Sequence, residues 1–174
     1  MAVLISVDGA SSEIAPPQNR ESAHALRTPS EELAIVVNKK NPTDNAMVWQ
    51  LRQIFSGEKR CWSRKREVKF VTMPRGAVER QTMLRVVYRM NDRDLDKYFF
   101  FGVYRGGFPT IPTTVSTPEK VRTLVANTPG AIGYLRASDV DASLKVVRVN
   151  GLLPGDDGYP LHLRADLSKS SGNR

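Results

Sequence analysis

The side chains best suited to nucleophilic or metal chemistry are few in this sequence. It contains one cysteine, Cys61, and two histidines, His24 and His162. We expect both histidines to lie in tails, so a histidine that activates the cysteine thiol is not expected. The same count leaves a zinc ion without nitrogen and sulfur ligands at suitable spacing. We therefore predict no enzyme, no metal site and no cofactor, and we expect Cys61 to be a buried or half-buried small residue.

Basic side chains give the chain its charge. There are 26 Lys and Arg against 18 Asp and Glu, for a net charge of +8, which favours an anionic partner without identifying it. The densest basic cluster, residues 59–66, surrounds Trp62 and has the composition of a surface that binds a phosphate backbone and stacks a base. A charged surface loop is the favoured interpretation. Because no zinc-finger or RNA-recognition signature is present, nucleic acid is not the partner we expect.

The strands that would position these residues are indicated by short apolar or alternating runs. Residues 33–37 form a continuous apolar run between charged and turn-forming residues, which is typical of a strand buried on both faces. Residues 67–73 alternate, and two further runs cover residues 131–135 and 144–149. We predict a strand at each of these four places.

Four helices are indicated between the strands. Apolar residues at helical spacing predict one helix over residues 47–55, with Thr43 or Asp44 as its cap, and another over residues 78–90. Asn91 or Asp92 is suited to cap a third helix, and Thr117 followed by Pro118 marks the start of a fourth. Alternating strands and helices predict an α/β fold with a mixed, mainly parallel sheet flanked by helices; an α+β arrangement of the same elements is the alternative.

The length of 174 residues fits a single domain. We predict that it occupies residues 31–164, since residues 1–30 and 165–174 are rich in helix- and strand-breaking residues. The first of these segments is interpreted as a flexible arm or the remnant of a leader, and the second as a flexible tail. No run approaches the roughly 18 apolar residues of a membrane span.

Several motifs resemble the second lobe of phosphate ABC-transporter substrate-binding proteins. The apolar strand ends in Asn41 and Pro42, a helix of the type Leu-Arg-x-Ile-Phe-x-Gly follows at residues 51–57, and Trp62 comes soon after. Pro-Gly-Ala-Ile-Gly-Tyr at residues 129–134 and Tyr-Pro-Leu at residues 159–161 resemble later signatures of that family. The resemblance covers residues 33–163, and it is narrowest with short stand-alone proteins that lack the first lobe.

This resemblance implies one lobe of a type II periplasmic binding-protein fold and a role in phosphate binding and transport. It also implies a periplasmic or secreted location if a leader was removed; otherwise the sequence does not indicate a location. In the family, a Ser-Gly-Thr segment at a helix start holds phosphate, and the matching place here begins at Arg75, Gly76 and Ala77 and extends to Arg80. The glycine-rich stretch at Arg105 and Gly106 is similar to a second family feature. We expect these six residues to form the ligand site.

The matching segment departs from the family pattern in its donors. Ala77, Val78 and Glu79 stand where hydroxyl-bearing residues are expected, so two donors are lost and a carboxylate is gained. Three functions therefore stay open: a non-catalytic domain that binds phosphate or another small anion weakly, a protein–protein interaction module that kept the fold and lost the ligand, and a basic nucleic-acid binder. A single lobe offers half a cleft, so homodimerisation or a partner lobe is expected to complete the site.

Overall fold

The architecture was obtained as a computed structural model, which describes residues 31–62, 66–106 and 112–164. The arm predicted at residues 1–30, the tail predicted at residues 165–174 and His24 lie outside the described residues. Within the described ranges, none of the helices has the length and apolar character of a membrane-spanning segment.

Six strands form one sheet within these described ranges. In chain order they are β1 (Leu33–Asn38), β2 (Asn45–Ala46), β3 (Lys69–Thr72), β4 (Thr113–Thr114), β5 (Ala131–Arg136) and β6 (Leu144–Val149). Their order across the sheet is β2-β6-β1-β5-β3-β4. Only β1 is antiparallel to its two neighbours, and the other neighbouring pairs are parallel. The predicted mixed, mainly parallel sheet is confirmed.

Strand β1 lies at the centre of the sheet, as its unbroken apolar run predicts. Every residue of β1 is buried, because helices cover the sheet and β5 and β6 flank the strand. The Tyr-Pro-Leu motif fixes the start of this strand. The Tyr159 hydroxyl donates to the Leu33 carbonyl at 2.7 Å, and the Leu33 N–H donates to the Leu161 carbonyl at 2.8 Å.

Helices pack against the sheet between the strands. They are α1 (Val48–Phe55), α2 (Val78–Thr82) with a π-helical continuation (Met83–Tyr88), α3 (Asp92–Tyr104), α4 (Pro118–Asn127) and a 3₁₀ turn (Ala137–Asp139). Two predicted caps are confirmed: the side chains of Asn91 and Thr117 accept hydrogen bonds from the N–H groups of Asp94 and Lys120. The helix predicted to end at Met90 ends at Tyr88, because Arg89 adopts a left-handed conformation with φ of 55°.

The predicted cap of α1 is wrong. The helix starts after Met47 rather than after Thr43 or Asp44, and the Met47 N–H donates to the Gln50 side chain at 2.8 Å. The chain first forms β2, whose pairing with β6 delays the helix. Asp44 instead accepts from Lys145 at 2.7 Å.

Cys61 is exposed, which corrects the expectation of a buried or half-buried thiol. Cys61 forms an isolated β-bridge with Glu67 on the surface. Its side chain points away from the core, whereas the next residue, Trp62, is buried. His162 also differs from expectation. It lies against the folded domain, with its ring nitrogen Nδ1 at 3.3 Å from the buried Glu32 carboxylate.

Candidate functional site

The turn between β3 and α2 (residues 73–77, the β3–α2 turn) contains three of the six predicted site residues. Its first residue is held by the sheet, because the Met73 N–H donates to the Tyr134 hydroxyl at 2.9 Å. The chain then reverses through Gly76, whose φ of +86° favours glycine. Ala77 caps α2 and has no side-chain oxygen to satisfy the first N–H groups of the helix.

Two arginines meet two carboxylates of α3 beside this turn. Arg80 Nε donates to Asp92 Oδ1 at 2.6 Å, and Arg80 Nη2 lies 3.7 Å from Asp96 Oδ1. Arg75 forms an ion pair with Asp96 as well. Arg80 is only 9% exposed, and its Nη1 donates to the Met73 carbonyl. The turn and the first turn of α2 together carry a preformed pair of guanidinium groups that already holds carboxylate oxygens.

Glu79, which the sequence places where it would repel an anion, is compensated by a third arginine. Its carboxylate is buried and accepts from Arg136 Nε at 2.5 Å. Arg136 is the last residue of β5, the strand next to β3. Because Arg136 pairs with it, the carboxylate of Glu79 does not act as an unpaired charge on the turn.

The other two predicted site residues, Arg105 and Gly106, lie at the far end of α3. Arg105 follows Asp96 by nine residues, which corresponds to about 14 Å along a helix. Its guanidinium lies 5.9 Å from the Phe101 ring centre, and Gly106 has a φ of +66°. The structure thus brings Arg75, Gly76, Ala77 and Arg80 together and leaves Arg105 and Gly106 elsewhere.

Sequence reasoning missed the acidic side of this cluster. Asp92 and Asp96 are spaced by four residues, which puts them on one face of a helix. That spacing signals a paired acidic face, but it does not show which basic residues the face meets. Arg136 was missed because its pairing with Glu79 joins a strand end to a helix distant in sequence.

The basic cluster around Trp62 has a structural explanation within the described residues. Trp62 is buried, and its indole N–H donates to the Gly130 carbonyl at 2.9 Å. Lys59 covers the ring, with Nζ at 5.4 Å from its centre. A ring held in this way is not presented to a nucleic-acid base. Residues 63–65 of the cluster lie outside the described residues.

A separate groove of about 530 Å³ runs along α4 and contains none of the predicted site residues. It lies beside the residues that follow β4 and is open to solvent. Its lining residues are Val115, Glu119, Lys120, Thr123, Leu124, Asn127 and Thr128. This mixture contains one basic side chain, so the groove lacks the clustered arginines of the β3–α2 turn.

Tyr134, which anchors the β3–α2 turn, makes stability sensitive to alkaline pH. Burial raises its pKa from 10.0 to about 12, although the hydrogen bond from Met73 opposes the rise. Below about pH 10 both states keep the proton. Between about pH 10 and about pH 12 only the unfolded state releases it, so the free energy of unfolding falls with pH, by at most roughly 1.4 kcal/mol per pH unit from this group. Urea unfolding at a series of alkaline pH values measures this slope.

The matched control is Tyr134→Phe, which keeps the ring and removes the ionisable hydroxyl. Burial also raises the pKa of Tyr88 and Tyr159, and both remain in the variant. We expect a shallower alkaline loss of stability in Tyr134→Phe than in the parent protein. Equal slopes in the two proteins would contradict the assignment of this titration to Tyr134.

Comparisons with known proteins identify the fold. No family model matches the sequence. Among solved structures, the chain is similar to an ABC-type phosphate transport receptor from Vibrio cholerae, with 23% identity and a TM-score of 0.58 over 71% of this chain and 48% of the other. A putative phosphate ABC transporter substrate-binding protein from Clostridium perfringens, with bound phosphate, has 20% identity and a TM-score of 0.58 over 71% and 46%.

A third similar structure is PstS from Borrelia burgdorferi, at 15% identity and a TM-score of 0.56 over 71% of this chain and 49% of the other. The chain spans about half the length of the structures it matches. Identities this low show the fold and leave the ligand open. The resemblance expected from the sequence is confirmed for the fold: the chain has the architecture of one lobe of a phosphate-type substrate-binding protein.

Proposed function

We propose that this chain is a non-catalytic binding domain that takes a small oxyanion of the phosphate class at the β3–α2 turn. The observation that carries the proposal is the convergence of Arg75 and Arg80 on the carboxylates of Asp92 and Asp96. Guanidinium groups bind carboxylate and phosphate oxygens with the same donor geometry. The names of the similar structures, which refer to phosphate, support the same class of ligand. A periplasmic or secreted location and a role in transport belong to this proposal.

The affinity for such an anion is expected to be low. Three arginines at the site (Arg75, Arg80 and Arg136) are matched by three carboxylates, those of Glu79, Asp92 and Asp96. An incoming anion therefore competes with carboxylates that already accept from the same N–H groups, and the local charge adds no net attraction. The net charge of +8 on the whole chain supplies only a general, salt-sensitive attraction.

Among the described residues, the β3–α2 turn lies on an open surface. In a two-lobe protein, closure around the ligand removes water and strengthens each charged hydrogen bond. The site proposed here lacks that enclosure within the described residues, since Arg75 has a largely exposed side chain. A second lobe that closes over Arg75 would raise the affinity.

Phosphate should raise the melting temperature of the purified protein. For a dissociation constant near 1 mM, about 10 mM phosphate stabilises the folded state by about 1.4 kcal/mol, which corresponds to roughly 3 to 5 °C for a domain of this size. Differential scanning fluorimetry with phosphate, sulfate and chloride at matched ionic strength measures the effect. A shift that is the same with every salt would contradict a phosphate site.

Arg75→Ala and Arg93→Ala form the matched pair for this experiment. Both residues are exposed, and both changes remove one positive charge, but only Arg75 lies in the β3–α2 turn. We expect the phosphate shift to be lost in Arg75→Ala and kept in Arg93→Ala. Equal loss in both variants would show that general charge, and not the turn, is responsible.

A protein–protein interaction module is the second candidate function. It is favoured by the outer side of α3, where several aromatic side chains are exposed. Soluble single-chain proteins seldom leave a contiguous aromatic surface uncovered. This candidate needs no anion at the β3–α2 turn, so the two functions are tested separately.

A further inference from the structure

The C-terminal half of α3 carries an exposed aromatic surface, the α3 aromatic face, formed by Phe100, Phe101 and Tyr104. Phe100 is 67% exposed and Tyr104 is 83% exposed. Only Leu95 of this 13-residue helix is buried. Other contacts that hold α3 against the domain include the ion pairs of Asp92 and Asp96 with Arg80. Phe99 also stacks on Phe70.

The rings of the α3 aromatic face are ordered against one another. Phe100 and Tyr104 stack with an interplanar angle of 10° and centres 6.5 Å apart. Phe100 and Phe101 meet edge to face at 5.7 Å, and Arg105 lies over Phe101. A surface whose side chains are already fixed loses little side-chain entropy when it is covered. It is therefore well suited to bind another apolar surface.

We propose that the α3 aromatic face binds a second copy of this chain, with the two α3 helices antiparallel around a two-fold axis at Phe100. This inference does not rest on the proposed anion site. A two-fold axis requires a surface that is complementary to itself. The charges along the outer side of α3 meet this requirement.

Helical spacing places opposite charges at matching distances from the axis. Asp94, Phe101 and Arg105 recur at positions i, i+7 and i+11, so they share the outer side of the helix with Lys97 and Tyr104. With the axis at Phe100, Asp94 lies six residues before it and Arg105 five residues after it, so Asp94 of one copy lies within about 1.5 Å, along the helix, of the position opposite Arg105 of the other. Lys97 lies equally close to the position opposite Tyr104, where an ammonium group binds favourably to an aromatic face. Each of these contacts occurs twice, and the antiparallel helix dipoles also attract.

The size of the surface suits a dimer. A full aromatic side chain offers roughly 200 Å², so the exposed fractions of Phe100, Phe101 and Tyr104 leave about 400 Å² of ring surface on each copy. Two copies cover about 800 Å² through the rings alone. The stems of Lys97 and Arg105 bring the total to about 1,000 Å², the lower limit for a specific interface. The dimer is thus expected to be reversible.

Sedimentation equilibrium or light scattering of the full chain, from about 1 µM to about 500 µM, tests the proposal. We expect a concentration-dependent increase in mass from monomer to dimer. The double variant Phe100→Ser with Tyr104→Ser should weaken dimerisation by more than about tenfold. Because both side chains are exposed, its thermal unfolding should stay close to that of the parent. The control Met47→Ser with Trp49→Ser removes a different exposed apolar pair and should leave dimerisation unchanged.

Charge exchange tests the antiparallel arrangement itself. Asp94→Arg alone and Arg105→Asp alone should each weaken the dimer, because each places like charges opposite one another at both ends. An equimolar mixture of the two single variants should form a heterodimer in which both ion pairs are restored. Failure of the mixture to recover dimer would overturn the proposed register.

Two further outcomes would overturn the proposal. The first is a mass that stays monomeric over the whole concentration range. The second is a monomer that binds anionic phosphatidylglycerol vesicles through the same rings, with binding lost in the Phe100→Ser, Tyr104→Ser variant. That result would assign the α3 aromatic face to a lipid surface and not to a second copy.

Discussion

Gly130→Ala is expected to lower the free energy of unfolding by about 3 kcal/mol or more, because a methyl group has no space there. A Cβ atom at this position would lie 2.1 Å from the carbonyl oxygen of Glu67. The obstacle is main chain, so no side-chain rotation relieves it. The Gly130 carbonyl also accepts from Trp62 at 2.9 Å and from the Lys69 N–H at 3.1 Å. Urea denaturation of both proteins measures the difference.

Gly133→Ala is the matched control, three residues further along the chain and inside β5. Its added Cβ would lie 3.1 Å from a methyl group of Val121 and 3.3 Å from one of Val125. These are side-chain atoms of α4 that move by a few tenths of an ångström, so we expect a loss of only about 1 kcal/mol. A Gly130→Ala variant as stable as Gly133→Ala would show that the segments around Trp62 and Gly130 pack less closely than described.

These two glycines explain in physical terms why the Pro-Gly-Ala-Ile-Gly-Tyr segment is a strong sequence signal. Gly130 lets the chain pass against Glu67, two residues before β3, Gly133 lets α4 approach β5, and Tyr134 supplies the hydroxyl that holds Met73. The motif thus joins β3, β5 and the β3–α2 turn. The motif could be recognised in the sequence because Gly130, Gly133 and Tyr134 fall within five consecutive residues.

The elements that the sequence predicted are those with strong local signals. The apolar run of β1 and the hydroxyl–proline start of α4 depend on neighbours in the sequence, and both were found where expected. Strands β2 and β4 were missed because each is only two residues long. Such short strands are defined by pairing with β6 and β3, which lie far away in the sequence.

The sequence predicted the candidate site only where the site residues are neighbours in the chain. Arg75, Gly76 and Ala77 are neighbours, and Arg80 is one turn further, so any helix starting there brings the four together. Arg105 was grouped with them because a glycine-rich segment is suited to bind an anion, but α3 separates the two places. The pairing of Arg80 with Asp92 depends on how α3 packs beside α2, which no local pattern encodes.

Asp96→Asn is expected to strengthen phosphate binding by roughly five- to tenfold, although it removes one partner of an ion pair. The change keeps the shape of the side chain and removes the negative charge that holds Arg75 and lies 3.7 Å from Arg80 Nη2. Arg80 keeps its bond to Asp92 at 2.6 Å, so α3 stays attached. The site then has three arginines and two carboxylates, and an anion no longer competes with the group removed. Isothermal titration calorimetry with phosphate measures the change.

Asp94→Asn is the control for this prediction, because it alters the total charge equally, two residues away on the outer side of α3, where the side chain is exposed. General electrostatic attraction would raise phosphate affinity to the same extent in both variants and would fade with added salt. A site at the β3–α2 turn raises it only in Asp96→Asn, and combining that change with Arg75→Ala should cancel the gain. If Asp96→Asn folds normally and still binds no phosphate, Arg75 and Arg80 serve only to hold α3 in place, and the proposed anion-binding function is wrong. The dimer proposed through the α3 aromatic face is not affected by that result.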